Sequence, residues 1–274
     1  MKFHPAPAKL NLFLHVLGRR PDGYHLLQTV FRFIDFGDRL SFDITDTPEI
    51  VLLDSLEGVP EDSNLCVRAA RLLQLESGCT KGARIGLEKN LPMGGGLGGG
   101  SSDAATALIV LNRLWGIDFS RDELIEIALK LGADVPVFVF GENAFAEGIG
   151  EKLSPVFLDP AWYLVLIPPV CISTAEIFAS PDLTRNAIPI KISDFSIKTG
   201  RNDLEPVACG LYPVVAQHLD WLRQYGRALM TGSGACVFAE FRDEAEARHA
   251  LDAMPCSMRG FLAKGLDRHP LKDF

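Results

Sequence analysis

Six glycines fall within seven residues at Gly94, Gly95, Gly96, Gly98, Gly99 and Gly100, interrupted only by Leu97. Glycine takes positive φ readily and carries no Cβ, so such a stretch can bring its N–H groups close to a ligand. Ser101 and Ser102 follow, and the residues from Asp103 to Trp115 are strong helix formers. A helix start adds unpaired N–H donors and the positive end of the dipole, so loop and helix together suit an anion. The two serines could cap that helix and offer hydroxyls to phosphate oxygens or a bound Mg²⁺. This is the chemistry of a nucleoside triphosphate cradle, with Pro92 and Met93 leading into it.

Three other readings of the run are weaker. A flexible linker would not be bracketed by a strand-like segment, Ala83 to Leu87, and an abrupt apolar helix. Gly94, Gly96 and Gly99 satisfy G-x-G-x-x-G, but any glycine-rich run does. The dinucleotide fold also needs an acidic residue ending a second strand about twenty residues on. Here that region is the inter-helix loop Gly116-Ile117-Asp118-Phe119-Ser120. A Walker loop needs lysine where this chain has Ser101. Positive charge for the phosphates must therefore come partly from elsewhere.

The elements that position such a loop are legible in outline. The chain has 274 residues, enough for two domains. Its 47% hydrophobic and 23% charged content is that of a soluble globular protein. A net charge of -8 argues against a general nucleic-acid binder. Apolar runs such as Val135 to Phe140 are too short to span a membrane, and Met1 to Pro5 lack a signal-peptide core. The six scattered cysteines form no C-x-x-C pair and read as reduced, mostly buried thiols of a cytoplasmic enzyme. No His, Asp and Glu set has metal-ligand spacing, so a metal is expected only as Mg²⁺ carried with a nucleotide.

Lys9 to Leu17 alternates, with Leu10, Leu12, Leu14 and Val16 on one face and Lys9, Asn11, Phe13 and His15 on the other, which predicts a strand. Arg19 to Gly23 is turn chemistry; Leu26 to Ile34 and Arg39 to Ile44 read as two further strands. Asp62, Ser63 and Asn64 supply caps for a helix running to Gly78, and Ser120 to Glu123 is a capping box. That helix is expected to end at Gly132, followed by short strands at Val135 to Phe140 and Asn143 to Glu151.

A second half opens with a buried strand, Trp162 to Ile167, and a short helix capped by Ser173 and Glu176. The irregular loop Pro181 to Ser196 follows. Leu204 to Tyr225 is helical in pattern, and Ala228 to Phe241 reads as two strands about Gly232-Ser233-Gly234. A helix from Asp243 to Met254 and a strand from Gly260 to Leu266 complete a strand–helix–strand–strand–helix–strand order that suits a ferredoxin-like layer. The fold class is α+β, divided into residues 1–155 and 156–274.

Five separated motifs occur in order: Pro7-Ala8-Lys9-Leu10-Asn11-Leu12, Arg20-Pro21-Asp22-Gly23-Tyr24-His25, the Gly94 loop, Gly132-Ala133-Asp134-Val135-Pro136, and Thr231-Gly232-Ser233-Gly234-Ala235. Together they resemble the GHMP small-molecule kinases, and the Arg-x-x-Asp-Gly-Tyr-His type of run beside Lys9 resembles the branch acting on a cytidylyl-linked methylerythritol. The resemblance runs from Lys9 to the end of the chain and is weakest between Pro181 and Ser196. It implies a ribosomal-S5-domain-2-like N-terminal layer, which binds ATP, and a ferredoxin-like C-terminal layer, which binds substrate. The active site would lie in the cleft between them. It also implies ATP-dependent phosphorylation of a 2-hydroxyl in the non-mevalonate isoprenoid route.

Family roles follow by position. Asp134 would accept the hydroxyl proton and Lys9 would polarise the reacting groups, while Gly95 to Ser102 wrap the ATP phosphates. Tyr24 and His25, with Phe178, would sandwich and read cytosine. Asn11 would place the substrate, Thr231 to Ala235 would support the reaction centre, and Asn64 and Leu65 would wall the adenine. A positioned carboxylate typically adds about 10²–10⁴ in rate as general base. Each of these residues also has an ordinary reading: Asp134 as a cap, Lys9 as a surface lysine, Tyr24 and His25 as hairpin aromatics, Gly232 to Gly234 as a plain turn. A homoserine, mevalonate or sugar kinase, or a silent nucleotide-binding module, remain as alternatives. The partners are ATP and a small cytidylyl substrate, without nucleic acid or membrane. Monomer and weak homodimer are both open.

Overall fold

β1 (Phe3–Arg19) and β2 (His25–Thr45) form one long antiparallel hairpin that reaches through both halves of the molecule. The computed structural model describes residues 2–54, 56, 58–195 and 200–274. β2 is a single strand where two were expected. It bends at Gly37, where a Cβ would lie 2.2 Å from the Ala6 carbonyl oxygen, and the β1–β2 register shifts there. A second register shift, between Asn11 and Leu14, breaks the predicted alternation. Phe13 consequently joins Leu10 and Leu12 in the core instead of sharing the face of Lys9 and Asn11.

The rest of the first layer is β3 (Ile50–Leu52), α1 (Leu65–Ser77), β4 (Gly82–Glu88), α2 (Gly99–Trp115), α3 (Arg121–Leu129), α4 (Val135–Phe140), β5 (Ala144–Gly148) and β6 (Lys152–Pro155). The sheet runs β3-β4-β2-β5-β6 with β1 paired to β2, and only the β3–β4 pair is parallel. Its core buries Phe31, Phe33, Leu40 and Ile85 against Ala104, Ala107 and Leu108 of α2. α1 begins at Asn64, whose side chain accepts from the Cys66 N–H, and ends on left-handed Gly78. The Ser120–Glu123 capping box forms as predicted, although the helix it starts ends at Leu129, before Gly132.

Two further local expectations fail in this layer. Val135 to Phe140 is a helix, not a strand. Six apolar residues carry no decisive period, and Pro136 in the first turn with left-handed Gly141 at the end sets the choice. α2 starts four residues early, inside the glycine run, with Gly98 at its N-cap. Ser101 and Ser102 are therefore helical residues, not caps.

The second layer is β7 (Trp162–Leu166), α5 (Thr174–Ala179), α6 (Glu205–Leu211), α7 (Pro213–Leu222), β8 (Ala228–Met230), β9 (Val237–Phe241), α8 (Glu244–Asp252) and β10 (Gly260–Lys264). Its strand order, β10-β7-β9-β8, is wholly antiparallel, as a split βαβ layer requires. Pro213 divides the single helix expected between Leu204 and Tyr225. The Ser173–Glu176 capping box does not form; Glu176 accepts a hydrogen bond from the Tyr212 hydroxyl instead. The loop from Pro181 is described as far as Phe195, and Ser196 lies outside the described residues.

The two sheets meet through a shared core in which Leu10, Leu12, Val30 and Ile34 pack on Tyr163, Val165 and Phe238. Leu14 and Val16 continue into the core of the second layer. The tail returns the exchange: Asn143 donates to the Leu266 carbonyl, and Leu271 packs on Ile109 and Val110. Cys66 and Cys236 are buried but Cys171 and Cys256 are exposed, so burial of the thiols is only partial. Among the described residues no helix is long and apolar enough to cross a membrane.

Candidate active site

A cleft of about 840 Å³ opens between the layers. Lys9, Asn11, Asp134, Tyr24, His25 and Phe178 line it, together with Leu65, Gly94 to Ser101 and Gly232 to Gly234.

The glycine loop is held by its carbonyls. Gly94 and Gly95 accept from the Ala235 and Cys236 N–H groups at 3.2 and 3.1 Å, and Leu97 accepts from the Lys9 N–H at 3.0 Å. The Gly96 carbonyl takes the Lys9 ammonium at 3.0 Å and the Thr231 hydroxyl at 3.3 Å. In a trans peptide the N–H points opposite the C=O. Tying four successive carbonyls to the protein therefore turns the following N–H groups outward. Gly96 sits at φ +74°, and a Cβ there would lie 2.1 Å from the Thr231 carbonyl oxygen. Gly98 offers α2 no side-chain cap, which leaves the first-turn N–H groups for an anion.

Lys9 is 2% exposed, against the ordinary expectation for a strand lysine. A buried ammonium has to be fully paired, and its three donors are used. Nζ donates to Asn11 Oδ1 at 2.6 Å and to the Gly96 carbonyl at 3.0 Å, and lies 3.3 Å from Asp134 Oδ2. Phe31 lies beneath it, with the ring centroid 5.4 Å away. Asp134 occupies the N-cap position of α4 but caps nothing, because its backbone is already helical (φ -88°, ψ -13°). Its carboxylate, 39% exposed, faces both lysine and cleft.

Asn11 is oriented by residues the sequence reading did not single out. Its Nδ2 donates to Thr29 Oγ1 at 2.9 Å, and Thr29 in turn donates to the Phe13 carbonyl at 2.5 Å. Thr231 is buried and lies behind the cleft lining, accepting from the Asn11 N–H at 3.0 Å. Asn202 holds the Gly232 turn by donating to the Met230 and Gly232 carbonyls. Thr174 and Ser233 hydroxyls, 2.7 Å apart, tie α5 to the same turn. Cross-strand and cross-layer partners of this kind leave no mark in local sequence.

Several expected contacts lie elsewhere. Pro92 and Met93 line a separate cavity of about 250 Å³ with Cys171 and Cys236. Asn64 is committed to capping α1, and Leu65 alone of that pair reaches the cleft. The Ser102 hydroxyl is buried without a partner, while Ser101 lines the cleft.

At the other end, Asp22 accepts from the Tyr24 N–H at 3.2 Å and pairs with Arg20 at 2.7 Å, fixing the turn that presents Tyr24, 58% exposed. His25 and Phe178 stack directly, centroids 4.7 Å apart at 27°. The stacked pair leaves no gap for a planar base between its two rings, and Tyr24 lines the same cleft. Burial, with Arg185 and then Arg19 nearby, lowers the His25 imidazole below its usual range.

Comparison with known proteins places the sequence and the fold among relatives. The family model described as "GHMP kinases N terminal domain" matches residues 64–142, and that described as "GHMP kinases C terminal" matches residues 178–260. The chain is 65% identical over 273 residues to the 4-diphosphocytidyl-2-C-methyl-D-erythritol kinase of Nitrosospira multiformis, covering 98% of this chain and 93% of that protein. It is 61% identical to the protein of the same name from Thiobacillus denitrificans, covering 98% and 97% of the two chains. A crystal structure of 4-(cytidine 5'-diphospho)-2C-methyl-D-erythritol kinase superposes with TM-score 0.83 at 33% identity over 96% of this chain and 99% of that one. A mevalonate kinase structure shares the fold alone, with TM-score 0.70 at 16% identity.

Proposed function

The chain belongs to the GHMP kinases and, among them, to the 4-diphosphocytidyl-2-C-methyl-D-erythritol kinases, and from that premise we propose how its residues divide the work. The protein is an ATP-dependent phosphotransferase of isoprenoid precursor synthesis. It phosphorylates the 2-hydroxyl of 4-diphosphocytidyl-2-C-methyl-D-erythritol, giving the 2-phosphate and ADP. Residues 1–155 form the ATP-binding and catalytic lobe and 156–274 the substrate lobe, with the β1 end and the C-terminal tail exchanged between them.

Asp134 is the general base: its carboxylate takes the acceptor hydroxyl proton as the oxygen attacks the γ-phosphorus and the bond to the leaving ADP oxygen breaks. Lys9 supplies, from the strand beside it, the positive charge that the glycine loop lacks, and meets charge developing on the transferred oxygens. Gly94 to Ser101 hold the phosphates through main-chain N–H groups, and Leu65 walls the adenine. Asn11, set by Thr29, orients the acceptor. Tyr24, His25 and Phe178 hold and read the cytosine.

Mg²⁺ carried with ATP fits this cleft, whose wall offers the Ser101 hydroxyl as a hard oxygen donor and leaves the Asp134 carboxylate for the proton. The described residues hold no cluster of three His, Cys, Asp or Glu that would keep a metal by itself. Such an ion would screen the triphosphate charge. A cytoplasmic setting is supported by six unpaired thiols, two of them exposed.

One observation carries the reading: the Lys9 ammonium touches the phosphate loop, Asn11 and Asp134 at once. The test is Asp134→Asn, for which kcat should fall by about 10²–10⁴ while ATP still binds. Undiminished turnover would remove Asp134 as the base. Turnover of homoserine or mevalonate in preference to the cytidylyl alcohol would overturn the substrate.

A further inference from the structure

Arg185 does not line the cleft, yet it makes four hydrogen bonds around the base pocket. Its Nε donates to His25 Nε2 at 3.2 Å. Nη1 donates to the Leu183 carbonyl at 3.0 Å, and Nη2 to the carbonyls of Phe178 and Ser180 at 2.9 and 2.8 Å. One guanidinium therefore fixes both stacked rings, His25 through its nitrogen and Phe178 through its own backbone.

An arginine Nε–H is a permanent donor, so the histidine nitrogen it meets must carry a lone pair. The ring proton of neutral His25 is then assigned, from this hydrogen bond, to Nδ1. We propose that Arg185 is a positioning residue for base recognition, locking His25 in its Nδ1–H form so that the ring always presents a donor to an acceptor edge of the base. The proposal rests on the reading that His25 meets the cytosine. A fixed donor matches cytosine N3, which accepts, and opposes uracil N3–H, which donates.

The charges acting on His25 are Arg185, from the segment after α5, and Arg19, from the end of β1. Burial first, and then both charges, disfavour imidazolium, so the tautomer of the neutral ring decides what it offers. Without Arg185 a neutral histidine favours the proton on Nε2, and the Nδ1 donor is lost. Protonation restores it, because imidazolium donates from both nitrogens.

The test is Arg185→Met, which keeps bulk and removes every donor. Its KM for the cytidylyl substrate should rise about tenfold at about pH 8 relative to the native enzyme, and the ratio should shrink toward one near pH 6. KM for ATP should not move. A defect equal at all pH values, or none, overturns the proposal, since a purely structural role carries no such pH signature. Should the variant fail to fold, nitrogen-15 NMR of histidine-labelled native enzyme decides: an Nε2–H form of His25 overturns it and an Nδ1–H form supports it. Adding the cytidylyl substrate separates the two readings. A His25 signal that does not respond removes His25 from the base pocket; a response together with an Nε2–H form removes only the role of Arg185.

Discussion

The glycine loop and the aromatic pocket line the same cleft, and they are held by opposite means. The loop owes its shape to carbonyls paired with Lys9, Thr231, Ala235 and Cys236, so the atoms left for a ligand are main-chain N–H groups. The pocket offers the side chains of Tyr24, His25 and Phe178, placed by Asp22 and Arg185. A main-chain site grips whatever carries phosphate, and added side-chain bulk damages it. A side-chain site discriminates, and truncation damages it. On the proposed reading, one cleft separates general grip from specific reading.

The largest effect that could break this contrast is expected at Lys9, the side chain on which the loop depends. Lys9→Met should lower kcat by about 10²–10³, the usual cost of removing a charge-stabilising donor. Unchanged turnover at saturating substrates would show that the loop needs no side-chain charge. Gly96→Ala comes next. The left-handed backbone alone costs about 1–2 kcal/mol, and the contact with the Thr231 carbonyl adds to it. ATP affinity by calorimetry should fall about ten- to a hundredfold, with the cytidylyl KM little changed. Phe178→Ala should do the reverse. Loss of stacking worth about 1–3 kcal/mol should raise the cytidylyl KM and leave ATP alone. If both KM values rise together in either variant, the division of labour fails.

A smaller effect concerns stability. His269 is buried against Phe33 and Phe138, and its imidazole is held down at about 3, chiefly by burial and then by Arg121. The unfolded histidine titrates near 6.5, so between these values the unfolded chain binds the extra proton. Stability is therefore intact above about pH 6.5 and falls as the solution is acidified toward about pH 3, by about 2 kcal/mol at about pH 5. His269→Asn retains an acceptor for the Leu271 N–H and cannot titrate. Its denaturation midpoint should start lower and vary less with pH. An equally steep loss in the variant would place the acid sensitivity elsewhere.

The motifs that carry the chemistry were legible because each is a local arrangement. The Asp22 turn and the Ser120 capping box depend on neighbours in sequence and fold as read, while the glycine run keeps its place on the cleft although α2 begins inside it. The misses have the opposite character. Val135 to Phe140 is apolar on every side and has no period by which a strand and a helix differ. The bend at Gly37 depends on Ala6, a residue thirty-one positions away across the hairpin. Ser102 and Asn64 have the right chemistry for a nucleotide, but packing and capping had claimed them. Arg185, in the least regular loop, acquires meaning only when folding brings it to His25.

The β1–β2 hairpin bears Lys9 and Asn11 midway and His25 at its turn end, and Asp203 and Ala187 bond to its Leu14 and Val16 backbone along the way. Register shifts after Asn11 and after Val16 interrupt the ladder, yet the two strands stay paired on either side of each. The separation of Lys9 from His25 is therefore written into the paired strands of one hairpin and not into a flexible connection. If His25 meets the base as proposed, an alcohol too short to reach from Lys9 to His25 forgoes the contacts at one end, whatever chemical group it ends in.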